Sequence, residues 1–107
     1  MNDAFWRFLG LAMKAGKLTS GSDALEQGIR TGKVLLAILS EDAGPNTRDK
    51  IGRLCAHYQV PLLVRGDRAM IGHWTGKRER VAIGVTDQGF ARRLAELAAG
   101  SSTDKDT

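Results

Sequence analysis

Residues 34–39 read Val, Leu, Leu, Ala, Ile, Leu with no polar alternation, which predicts a strand covered on both faces, central in a sheet with helices on each side. Gly32 before it and Glu41-Asp42-Ala43-Gly44-Pro45 after it bound the run tightly, so a helix is the weaker reading. The helix feeding the strand is expected to begin near Gly21-Ser22-Asp23, with Asp23 and Glu26 at capping-box spacing, and to end at Gly32. Ala24, Leu25, Gly28 and Ile29 make its buried face, Gly28 permitting close approach to the sheet.

The other elements follow from the same periodicities. In residues 3–15, Phe5, Phe8, Leu9, Ala12 and Met13 form one helical stripe; Asn2 or Asp3 can cap its start and Gly16 its end, while Trp6 falls off it, against another layer or on a contact surface. Residues 17–20 predict a short edge strand. Pro45 suits the first turn of a third helix with Ile51, Leu54, Cys55 and Tyr58 inward. Residues 60–64 and 81–85 are apolar strands; between them Gly66-Asp67 turns into a short helix carrying Met70 and Ile71, followed by a loop over 72–80. Thr86 is expected to cap a last helix with Phe90, Leu94, Leu97 and Ala98 on one face, and a disordered tail is expected over 100–107, beyond a single domain of residues 1–99. Helices and strands in alternation, four strands and five helices, predict an α/β fold built as a three-layer α/β/α sandwich.

Composition narrows the chemistry. A chain of 107 residues makes one domain, and 42% apolar residues with two prolines indicate a folded one. Sixteen Lys and Arg against twelve Asp and Glu leave a net charge of +4, which favours an anionic partner such as nucleic acid without requiring one. The single cysteine, Cys55, excludes an intrachain disulfide and a thiolate zinc site, and its helical position suits a small buried hydrophobe. The N-terminal apolar stretch, interrupted by Arg7, Lys14 and Lys17, reads as an amphipathic helix rather than a signal peptide or membrane span, so cytoplasm is the default compartment.

Enzyme signatures are sparse. Gly28 to Lys33 resembles a phosphate loop faintly, but the glycine spacing is one short and Val34 stands where Ser or Thr is needed. His57 and His73 lack a metal-type partner at i+4. No catalytic residue, metal or cofactor is expected. One alternative is a magnesium-dependent phosphoryl-transfer enzyme using Glu41 and Asp42, which end the central strand where open α/β sheets bind ligands; the competing reading is that they solvate the corner and orient the next helix. Two other places suit anions. The Gly21 turn opens a helix with free N–H groups, though Asp23 competes for them, and Trp74, Lys77, Arg78 and Arg80 share a glycine-containing loop offering cations and an aromatic plane. In a sandwich the two can meet at one end.

Together, Ser20-Gly21-Ser22-Asp23, Arg30-Thr31-Gly32-Lys33, residues 34–39, Ser40-Glu41-Asp42-Ala43, residues 60–64 and Met70-Ile71-Gly72 resemble the L-seven-Ae / L-thirty-e ribosomal protein family, and within it the small bacterial YlxQ-like RNA-binding proteins, over residues 5–97. The resemblance implies an L-thirty-e-like α/β/α sandwich with a mixed four-stranded sheet that binds structured RNA, typically kink-turns, without catalysis, in association with the ribosome or translation. It implies that a Gly-x-Asn-Glu turn and a lysine three residues on grip the RNA while a late loop receives an extruded base. Here Gly21 matches the glycine, but Asp23 stands at the Asn position, Ala24 at the Glu and Gln27 at the lysine. Those changes remove a side-chain donor, a polar group and a phosphate-pairing cation. Expected in consequence is weaker RNA binding centred on Lys17, Lys33 and the Lys77 to Arg80 loop, or recognition of a different RNA shape; Gly21, Ser22, Asp23, Gln27 and Trp74 complete the expected interface. No small-molecule substrate or membrane is implied. The remaining alternative is a protein-recruitment module on the same fold, with Trp6 as its contact residue.

Overall fold

A computed structural model describes residues 3–103, with side chains from Ala4 to Ala99. In chain order the elements are α1 (Asp3–Lys14), β1 (Leu18–Ser20), α2 (Ser22–Arg30), β2 (Leu36–Leu39), α3 (Pro45–Tyr58), β3 (Leu62–Val64), α4 (Arg68–Trp74), β4 (Ala82–Val85) and α5 (Gln88–Thr103). The four strands form one mixed sheet in the order β1-β4-β2-β3, with β2 parallel to β3 and β4 antiparallel to both β1 and β2.

Strand β2 is central and every residue in it is buried. Its side chains alternate between two apolar layers, as a pleated strand requires. Leu36 and Ile38 join Phe5, Leu9, Ile71 and Leu94 from α1, α4 and α5, whereas Ala37 and Leu39 join Leu25, Ile29, Ile51 and Cys55 from α2 and α3. This is the expected α/β/α sandwich. Burial of Cys55 pushes its thiol pKa up, in keeping with a small core hydrophobe.

Several local expectations need correction. The strand is shorter than its apolar run, because its ladder with β4 opens at Leu36, opposite Val85. Asp23 does not cap α2: the helix starts from Gly21 (φ 99°), which offers no side-chain cap at all. Asp87, not Thr86, caps α5, accepting from Phe90 N–H at 2.9 Å, while the Thr86 hydroxyl donates to the Lys17 carbonyl at 3.0 Å. Tyr58 is 41% exposed rather than inward. Trp6 is buried edge-on against Phe5, their ring centroids 5.1 Å apart, so it is no contact surface. The tail expected from residue 100 overlaps the last turn of α5, and residues 104–107 lie outside the described residues.

Two glycines let α2 lie close on the sheet. A Cβ at Gly28 would overlap Val34 Cγ2, and one at Gly84 would sit 2.7 Å from both Val34 Cγ2 and Thr19 Oγ1. Those contacts seat the middle and C-terminal half of α2 against the sheet.

Candidate nucleic-acid interface

The turn at Gly21 is fixed by its backbone. Its N–H donates to the Ala82 carbonyl at 2.9 Å, tying the exit of β1 to the entry of β4. A left-handed φ with no Cβ lets the chain pass directly into α2, whose first amides face outward without a side-chain acceptor.

The late segment reaches the same place by folding back along α4. Asp67 caps that helix by accepting from Met70 N–H at 2.8 Å. Gly72 then leaves room for the returning backbone: its missing Cβ is where the Arg78 carbonyl packs. Lys77 N–H donates to the Gly72 carbonyl at 2.9 Å and Arg80 N–H to the Arg68 carbonyl at 3.2 Å, so Lys77 lies level with the end of α4 and Arg80 with its start. Arg80 Nε donates to Ser20 Oγ at 2.7 Å, a contact between residues 60 apart, and its Nη1 donates to the Glu79 carbonyl at 2.7 Å. Ser20, Gly21, Ser22, Arg68, Glu79 and Arg80 line a shallow hollow of about 370 Å³.

Charge in this hollow is unevenly neutralised. Arg68 is engaged by Asp42: its backbone N–H donates to Oδ1 at 3.1 Å, its Nε to Oδ2 at 3.3 Å, and its Nη2 to the Asp42 carbonyl at 2.9 Å. The Ser40 hydroxyl, buried and facing the carboxylate without full hydrogen-bond geometry, and then the Arg68 backbone and guanidinium hold the Asp42 carboxyl below its usual range, against an opposing push from burial. Arg80, in contrast, bonds a hydroxyl and a carbonyl and has no ion pair among the described residues. Lys77 and Arg78 are exposed and carry no ion pair among the described residues. Glu79 is the acidic group on the rim.

The expected interface residues therefore divide. Gly21, Ser22 and Arg80 come together, and Asp23, Ala24 and Gln27 share the exposed face of α2 beside them. Lys17 and Lys33 do not join them. Lys17 precedes β1 and binds Thr86 through its carbonyl, and Lys33 follows the C-terminus of α2, so both sit at the opposite end of the sheet, about 13 Å away along a nine-residue helix. Trp74 belongs to α4 rather than to the loop. It is partly buried against the apolar layer and takes His73 on edge, centroids 5.2 Å apart. Glu41 and Asp42 form no group with a third metal-type side chain among the described residues, and Asp42 is already committed to Arg68. Sequence reasoning missed Arg68; its signal was the Gly66-Asp67 helix start, which sets the next residue at the same end as the start of α2.

A mixed α/β/α sandwich with arginines on a rim at one end of the sheet defines an α/β domain with an anion-facing edge. The sequence profile of the Ribosomal protein L7Ae/L30e/S12e/Gadd45 family matches residues 3–95, and the chain belongs to that family. It is 44% identical over 89 residues to the RNA-binding protein YlxQ of Bacillus subtilis (strain 168), covering 83% of this chain and 89% of that one. It is 36% identical over 92 residues to the RNA-binding protein YlxQ of Enterococcus faecium, covering 86% and 88%. Among solved structures, a protein of unknown function from Bacillus halodurans C superposes with a TM-score of 0.85 at 45% identity, over 87% of this chain and 94% of that chain. The Giardia lamblia 15.5kD RNA binding protein shares the fold, with a TM-score of 0.78 at 15% identity over 92% and 84%.

Proposed function

We propose that this protein is a non-catalytic binder of structured RNA, acting in the cytoplasm in association with the ribosome or translation, through the rim where the Gly21 turn meets the 77–80 segment. The observation that carries the reading is the Arg80 Nε to Ser20 Oγ bond, which sets a charged guanidinium beside the uncapped amides of α2. Amides and guanidinium together suit phosphate oxygens and 2′-hydroxyls. Family membership, two bacterial relatives named as RNA-binding proteins and a net charge of +4 support it. Gly21, Ser22, Arg68 and Arg80 are the core of the proposed interface, with Lys77 and Arg78 adding phosphate contacts, and Asp23 and Gln27 at its edge. Because Ala24 and Gln27 stand where a polar pair would grip a kink-turn, the favoured ligand is an RNA helix read by shape and backbone.

The test is a titration against a kink-turn RNA, an unrelated hairpin and single-stranded RNA across salt concentrations. Preference for one folded RNA at equal salt supports the reading; equal, steeply salt-dependent binding to all three reduces it to nonspecific charge attraction. A charge-reversed Lys77/Arg78/Arg80 variant should lose most affinity, and unchanged binding would remove this rim from the interface.

A further inference from the structure

A second surface lies between α1 and the end of α4, with Gly76 on its lining next to Lys77 of the rim. Arg7, Gly10, Leu11 and Lys14 recur at i, i+3, i+4 and i+7 on α1 and so share one outward stripe. With Met13 and Trp74 they wall a groove of about 500 Å³ between α1 and the end of α4. Leu11 is 54% exposed, on a helix whose opposite stripe already fills the core, so burial in this chain does not account for it. The wall opposite is Trp74, packed so close that a Cβ at Gly10 would lie 3.6 Å from its ring. Arg7 and Lys14 stand about 10 Å apart along the helix, one towards each end of the groove, and neither has an ion-pair partner among the described residues.

From this arrangement we propose that the α1/α4 groove docks an acidic amphipathic segment of a protein partner, its apolar side chains seated between Leu11, Met13 and Trp74 and its carboxylates paired with Arg7 and Lys14. Charge complementarity selects that occupant. An apolar trough with a cation towards either end matches apolar anchors flanked by carboxylates, and a flexible methionine adapts to their shape. A nucleobase fits less well, because the Trp74 ring is packed against Gly10 and takes the His73 ring on edge.

The probe is a synthetic 15N-free peptide of mixed Leu and Phe anchors at helical spacing with Glu at both ends, titrated into 15N-labelled full-length protein. A matched peptide with Lys for each Glu is the control. Expected is saturable shifting of amides in α1 and the end of α4 by the acidic peptide alone, weakened about tenfold or more by combined Arg7→Glu and Lys14→Glu and lost with Leu11→Asp. All three positions are exposed, so the variants should keep the wild-type spectrum elsewhere; RNA affinity is compared in Leu11→Asp, which changes the net charge by one and should leave it within about twofold. Equal binding of both peptides, shifts elsewhere, or displacement of the acidic peptide by single-stranded RNA at the same amides would overturn the proposal. Because RNA affinity is read separately, failure here leaves the rim assignment standing.

Discussion

At the Gly21 end of the sheet α2, α3 and α4 all begin; at the Lys17 end α2 and α3 terminate. Both ends carry cations, but they serve different physics. Arg30 and Lys33 cluster where helix carbonyls point outward, and there positive charge offsets the negative ends of the dipoles. Arg80 stands where amides point outward, so its charge adds to a positive dipole end. A guanidinium held by Ser20 also loses less freedom on binding than a lysine on a free stem. Equal charge therefore does not mean equal affinity for an anion.

The strongest challenge to that contrast is Gly72→Ala. Its added Cβ would overlap the Arg78 carbonyl, backbone that cannot swing aside, so the 75–80 segment must move. We expect a loss of about 1–3 kcal/mol in urea denaturation and an RNA affinity at least tenfold lower. Wild-type affinity in this variant would show that the returning segment does not shape the interface.

A gentler comparison sets the two ends against each other. Arg80→Ala should weaken RNA binding about tenfold and lower the slope of log affinity against log salt by about 1, while combined Lys17→Ala and Lys33→Ala should change affinity less than about twofold. Fluorescence anisotropy at several salt concentrations measures both. If the lysine variant were the weaker binder, the interface would lie at the other end.

The smallest effect concerns acid. Asp42 has a folded pKa below its ordinary 3.8, held there first by Ser40 and then by Arg68, so these contacts contribute stability that is present above the unfolded value and lost as pH falls through the lower folded value. Stability should rise with pH across that window, and Asp42→Asn should flatten the rise in urea midpoints measured between pH 2.5 and 6. An identical slope in the variant would assign the acid sensitivity elsewhere.

How far the chain's own pattern reaches is clearest at particular residues. The apolar run at 34–39 marked the central strand, since a six-residue stretch without polar alternation must be covered on both faces. Its true start at Leu36 followed from register with Val85, which local sequence does not carry. Caps were misplaced by one or two residues for the same reason. Thr86 looked like a cap, but its hydroxyl is taken by the Lys17 carbonyl, 69 residues away. Trp74 fell in the glycine-containing loop expected over 72–80, whereas packing against the apolar layer keeps α4 going through it.

The amino-acid sequence by itself determined the alternation of helices and strands, the two-sided burial of β2 and the membership of the chain in its family, because periodicity and local residue chemistry encode these. Only the tertiary structure decided which cations share an end. That depends on the strand order β1-β4-β2-β3 and on the backbone returning along α4, which bring Ser20 and Arg80 together and carry Lys17 and Lys33 away. Such pairings rest on the closure of long loops by the whole sheet, and no short stretch of sequence contains that information.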